Sequence, residues 1–99
     1  MININEYIQS TEEVQFGDTV LHVHDLSTEL FNACLEPTEG LDAREIFSKQ
    51  EELVCRILNR NAEGQKVELE EIKNWPVKAI DALLAKMIAR ARLAVNDPN

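Results

Sequence analysis

Three groups of residues in this 99-residue chain have types and spacings that chemistry can use. His22 and His24 lie two apart in a β-branched run, so both imidazoles share one face of a strand, a spacing that some metal sites use. Two ligands do not close a site, and no paired cysteine or second histidine cluster completes one, so no metal is assigned. Asn59, Asn61, Glu63, Gly64 and Glu70 match the spacing of a helix-flanked calcium loop. The chemistry is poorer than the spacing. Neutral amides replace the leading carboxylates, and Lys66 stands where an apolar residue packs, with Val67 one place late. Calcium is therefore not expected there at physiological levels. The plainer expectation is a helix that ends near Asn61, a turn through Gly64, and a short helix from Leu69 to Asn74.

Cys34 and Cys55 each fall inside an apolar helical pattern and read as small buried hydrophobes of a reducing compartment. The acidic pairs Glu12/Glu13, Glu51/Glu52 and Glu70/Glu71 are sequence neighbours, which point apart on a helix and form a solvated face. There is no glycine-rich phosphate loop, nucleophile elbow or Cys/His/Asn arrangement, so neither an enzyme nor a cofactor is expected.

Charge is the unusual global feature. The net is −8, and residues 1–43 hold nine acids with no Lys or Arg, whereas the remainder is near neutral. Such a field discourages direct nucleic-acid binding, which needs a basic footprint, and favours a basic protein partner. Solubility alone is an equally good reason for the same acids. No run is long and apolar enough to span a bilayer, and no signal segment is expected at the N-terminus.

The elements that must position these residues read as one α+β domain over 1–99, mainly helical, with one short N-terminal hairpin followed by three to four helices. Residues 1–13 are an arm or a short helix capped by Asn3 or Asn5. Residues 14–26 carry the hairpin. Val14 to Phe16 alternates, Gly17-Asp18 turns, and Thr19 to His24 returns with Leu21 and Val23 inward and Val20, His22 and His24 outward. From 27 to 95 the chain is helical. Ser27 caps a helix through Phe31, Cys34 and Leu35, and Pro37 and Gly40 end it. Asp42 caps a long helix to about Asn61, with Ile46, Phe47, Leu53, Val54, Ile57 and Leu58 on its apolar stripe and Gln50 interrupting it.

The last helix is the most clearly written. Asn74 is placed to cap it and Pro76 to occupy its first turn, while Lys86, Arg90 and Arg92 suit the dipole of its later turns. Val77, Ile80, Leu83, Leu84, Met87, Ile88, Ala91 and Val95 recur at helical spacing. That stripe is wider than one layer of neighbours from 99 residues covers, so part of it is expected to be free for a partner or a second copy. Trp75 is expected to be substantially buried as the knob between the short helix and this one. On that basis Trp75→Ala would cost roughly 3–5 kcal/mol.

A hairpin that ends in His22-Val23-His24-Asp25-Leu26-Ser27, a Gly64-Gln65-Lys66-Val67 link before a short acidic helix, and Asn74-Trp75-Pro76-Val77-Lys78-Ala79-Ile80 opening the last helix resemble the tail assembly chaperones of long-tailed bacteriophages. The likeness runs over roughly residues 14–95 and points to the lambda-type group, in which Trp-Pro followed by Ala-Ile opens a late helix. The chain is shorter than that type and reads without its long disordered C-terminal tail.

The resemblance implies a chaperone in the host cytoplasm, absent from the finished virion. Such proteins coat the hydrophobic, helical tape measure protein, keep it soluble and help recruit tail tube subunits. Many of them are also made in a longer, frameshifted form, and self-association is compatible with the stripe. Recognition would be helix-in-groove, through Val77, Ile80, Leu84, Met87, Ile88 and Ala91, with Trp75 and Pro76 structural. Two other classes fit the acidic character: an inhibitor of a host defence protein that mimics DNA, and a small structural adaptor of a phage particle.

Overall fold

In the computed structural model, residues 1–96 are described, as a two-stranded antiparallel hairpin with five helices. The order is α1 (Ile4–Ile8), β1 (Thr11–Phe16), β2 (Thr19–His24), α2 (Thr28–Cys34), α3 (Ala43–Leu58), α4 (Leu69–Ile72) and α5 (Val77–Asn96). The fold class is the expected α+β arrangement with its hairpin near the N-terminus. No helix among the described residues is long and apolar enough to cross a membrane.

The local signals act largely as their chemistry dictates. Asn3 Oδ1 accepts from the Asn5 amide, Ser27 Oγ from Leu30 and Asp42 Oδ1 from Glu45, so three helices begin on side-chain caps. Gly17 holds φ +57° at the first central position of the two-residue turn, the place a type II′ hairpin reserves for glycine. Leu21 and Val23 point inward and are fully buried. The first strand begins at Thr11, three residues earlier than expected, because Thr11 pairs with His24 and the register runs unbroken to Phe16–Thr19.

Several boundaries differ. The third helix ends at Leu58, where Asn59 takes the cap, and the fourth covers only Leu69–Ile72. Asn74 does not cap α5, since its amide donates back to the Glu70 carbonyl at 3.0 Å. Pro76 precedes the first helical residue, and its carbonyl accepts from Ala79 and Ile80. It stands one place earlier than expected, before the first helical residue and not at it.

The core is organised around α3, which packs on α2, α4, α5 and β2. Val54, Ile57 and Leu58 are fully buried at its centre, with Leu53, Val67 and Ile72 beside them. The final helix covers one side of this core, and here the expected partner-binding stripe needs correction. Met87 is 0% exposed, Ile80 5% and Leu84 8%, so three of the six positions are core residues and offer no free surface. The reason is packing: α2 and α3 both lie against α5, and two layers take up more of the stripe than one. Val77, at 52% exposure, stays on the surface, and Ile88 and Ala91 are half-buried. The side chain of Val95 lies outside the described residues.

Trp75, expected to be substantially buried beside α5, also packs on the hairpin. It is partly buried, and its ring meets Phe16 of the hairpin at 5.2 Å between centroids, tilted by 53°. It therefore links the start of α5 to the sheet. With part of the indole already in water, Trp75→Ala is expected to cost about 2 kcal/mol, read from urea unfolding. A loss above about 4 kcal/mol would mean that the ring is fully enclosed.

Candidate functional site

A groove of about 570 Å³ lies between β1 and the start of α5. Val14 and Phe16 line one wall, Ala79, Ala82 and Leu83 the other, and Trp75 closes the end nearest the turn. Its origin is local. The two alanines keep the helix wall low opposite Val14 and Phe16, so strand and helix part instead of interlocking.

At the other end of the strand they are clamped. The Arg90 guanidinium donates to Asp25 Oδ1 at 2.6 Å, Glu12 Oε2 at 2.9 Å, Ser10 Oγ and the Thr11 carbonyl. Lys86 adds a longer ion pair to Glu12 at 3.8 Å. Arg90, expected only to complement the helix dipole, instead ties α5 to the open end of the hairpin, where β1 begins and β2 finishes. Its guanidinium is held charged even more firmly than usual, first by the Asp25 hydrogen bond.

A second hollow, of about 440 Å³, lies beneath Tyr7 and Ile8 of α1 and reaches Leu26, Phe31 and Ala91. The first helix buries none of its residues, and Met1, Ile2, Ile4, Tyr7 and Ile8 are all exposed. Ala91 thus borders this hollow, whereas Val77 lies one residue beyond Pro76 of the groove.

Among the described residues, no group of three or more His, Cys, Asp or Glu side chains is placed to hold a metal ion. His22 is engaged elsewhere: its Nδ1 lies 2.6 Å from Glu63 Oε2, and its backbone N–H donates to Glu63 Oε1 at 2.8 Å. The candidate calcium loop spends its side chains on its own backbone. Asn61, 8% exposed, donates to the Leu58 and Gln65 carbonyls and accepts from the Gln65 N–H. Asn59 accepts from the Val67 N–H and donates to the Val67 and Cys55 carbonyls. Both amides act as substitutes for peptide groups, which is why amides and not carboxylates stand there.

The same loop runs beside β2. His24 donates to the Arg60 carbonyl, Ala62 donates to the His22 carbonyl, and Val23 bridges Asn61. Cys34 and Cys55 are free thiols, each half-buried, and burial pushes the Cys34 thiol up.

The Glu63 contact gives a pH dependence with a definite sign. The hydrogen bond to the Glu63 carboxylate, then its charge, raises the His22 pKa above the ordinary 6.5, while bonds from the His22 backbone and ring lower the Glu63 pKa below 4.5. The stabilisation is therefore complete between those ordinary values. It is lost as pH rises through the raised imidazole value, and again as pH falls through the lowered carboxyl value. Melting temperatures of the parent and Glu63→Gln are expected to differ most at about pH 5 to 6 and less at about pH 9. A gap that widened toward alkaline pH would contradict this pairing.

Comparison of the chain with protein-family models, curated proteins and solved structures returns no match.

Proposed function

We propose that this protein is a tail assembly chaperone of a long-tailed bacteriophage, which binds the tape measure protein in the host cytoplasm and keeps it soluble while the tail is built. The tail tube protein is the second partner of this reading, and the chaperone leaves before the virion is complete. The proposal starts from the resemblance in the hairpin and Trp-Pro segments. The observation that carries it is the apolar groove between β1 and α5, an unfilled surface of aromatic and aliphatic side chains on a strongly acidic chain. Apolar surface of this kind has a use in holding another chain's hydrophobic segment, and the surrounding negative field repels copies of the complex from one another.

Co-expression with a tape measure protein is the direct test. The soluble yield of that protein is expected to rise when this chain is present. Ala82→Glu places a carboxylate on the exposed helical wall of the groove, where the fold tolerates it, and is expected to remove the gain. Equal yield with and without the chain would reject the chaperone reading and bring the acidic inhibitor to the front.

A further inference from the structure

The two edges of the hairpin are treated differently. Along β2, the outward N–H and C=O of His22 and the N–H of His24 are bonded to Glu63, Ala62 and Arg60, so the loop after α3 covers that end of the edge and leaves Val20 beside the turn exposed. Along β1, the two-residue turn makes Phe16–Thr19 a hydrogen-bonded pair, and alternation makes Val14–Leu21 and Glu12–Val23 bonded pairs as well. The N–H and C=O groups of Thr11, Glu13 and Gln15 therefore point away from β2. The Thr11 carbonyl is taken by Arg90, whereas the four groups of Glu13 and Gln15 have no partner among the described residues. The strand has no proline, lysine or bulge to blunt that edge. The apolar groove runs along it, lined by every residue from Glu12 to Gly17.

We propose that β1 receives an extended segment of the partner as an added strand, whose alternate apolar side chains enter the groove. This specifies the binding mode of the chaperone reading and rests on it for the identity of the partner. Free backbone groups ask for another backbone, and a helix, whose own groups are already paired, cannot supply one. The side chains of the added strand that face the groove meet Val14, Phe16, Trp75 and Leu83 and are apolar. Those facing away lie beside Glu13, whose side chain is largely exposed and 3.8 Å from the His22 imidazole, within the part of the chain that has acids and no Lys or Arg. The segment is therefore one that alternates aliphatic residues with lysine or arginine.

Trp75 is the chain's single tryptophan and stands at the end of the groove, so its emission reports occupancy. The probe is a ten-residue peptide of alternating leucine and lysine. It is compared with the same peptide N-methylated on alternate residues, and with a peptide of equal composition ordered to form an amphipathic helix. Saturable change in Trp75 emission is expected with the first, with binding roughly tenfold or more weaker for the other two. No binding by the alternating peptide, or equal binding by the methylated or helical one, overturns strand addition.

Gln15→Pro gives a second reading in the full chain. It removes an outward N–H without touching the β1–β2 ladder, so circular dichroism is expected to be unchanged and peptide binding lost. In co-expression, a Gln15→Pro variant that still keeps the tape measure protein soluble would overturn strand addition and leave the chaperone reading intact. A parent that fails to do so, while the peptide results hold, would reject that reading and leave strand addition standing.

Discussion

Met87→Glu is expected to abolish folding, while Val77→Glu on the same stripe leaves the fold unchanged. Met87 is fully enclosed where α5 packs on the core, so the variant forfeits about 1.5–3 kcal/mol of apolar burial and places a carboxylate where nothing solvates it. Together these costs approach the whole stability of a small domain, about 5–15 kcal/mol. Far-ultraviolet circular dichroism with a thermal scan is the check, and no cooperative transition is the expected outcome. Met87→Leu, which conserves volume, is expected to lose under about 1.5 kcal/mol. Val77 opens α5 and is half in water, so a glutamate there meets the positive end of the helix dipole and melts within a few degrees of the parent. A folded Met87→Glu protein would mean that α5 can leave the core, and would return its inner face to the list of binding surfaces.

The second large effect is expected at Arg90. Its guanidinium makes four contacts, to Asp25, Glu12, Ser10 and Thr11, across separations of 65 to 80 residues, and its side chain is mostly buried. Arg90→Ala leaves Asp25 without that partner and Glu12 with only the more distant Lys86. A fully buried pair broken in this way costs about 3–5 kcal/mol, and partial exposure brings the expectation here to about 2–3 kcal/mol. Urea unfolding measures it directly. Arg90→Lys is expected to recover less than half of the loss, because an ammonium cannot reproduce the forked, planar donation to two carboxylates and a carbonyl. The groove should respond too. With the clamp gone the strand is free to move from α5, so Trp75 emission is expected to shift even in the folded variant. Full recovery by lysine would mean that charge alone holds the contact.

Much of the secondary structure was legible because its causes are local. A cap needs a side-chain acceptor a few residues from an amide, as at Ser27 and Asp42, and a tight hairpin needs glycine where φ is positive, as at Gly17. Alternation likewise placed Leu21 and Val23 inward, and period alone marked the apolar stripe of α5. The calcium-like spacing of Asn59, Asn61 and Glu63 shows where such reasoning stops. A spacing pattern reports what could converge, and only the folded loop reveals that both amides are bonded to backbone and Glu63 to a histidine on another element.

The sequence by itself determined the fold class, the hairpin and its turn, the inward side of β2 and the apolar stripe of α5, and the acidic character of the first 43 residues. Each follows from short-range sterics, from period, or from composition. Tertiary structure alone decided which part of the α5 stripe is core and which is surface. It also decided that Trp75 meets Phe16, that Arg90 clamps the hairpin, and that the β2 edge is covered at His22 and His24 while the β1 edge is open at Glu13 and Gln15. Those outcomes depend on which elements become neighbours, and a helical stripe has the same period whether one layer or two lie against it. The groove exists for the same reason: Ala79 and Ala82 are ordinary helix formers in the sequence, and they leave a gap only because Val14 and Phe16 stand opposite them.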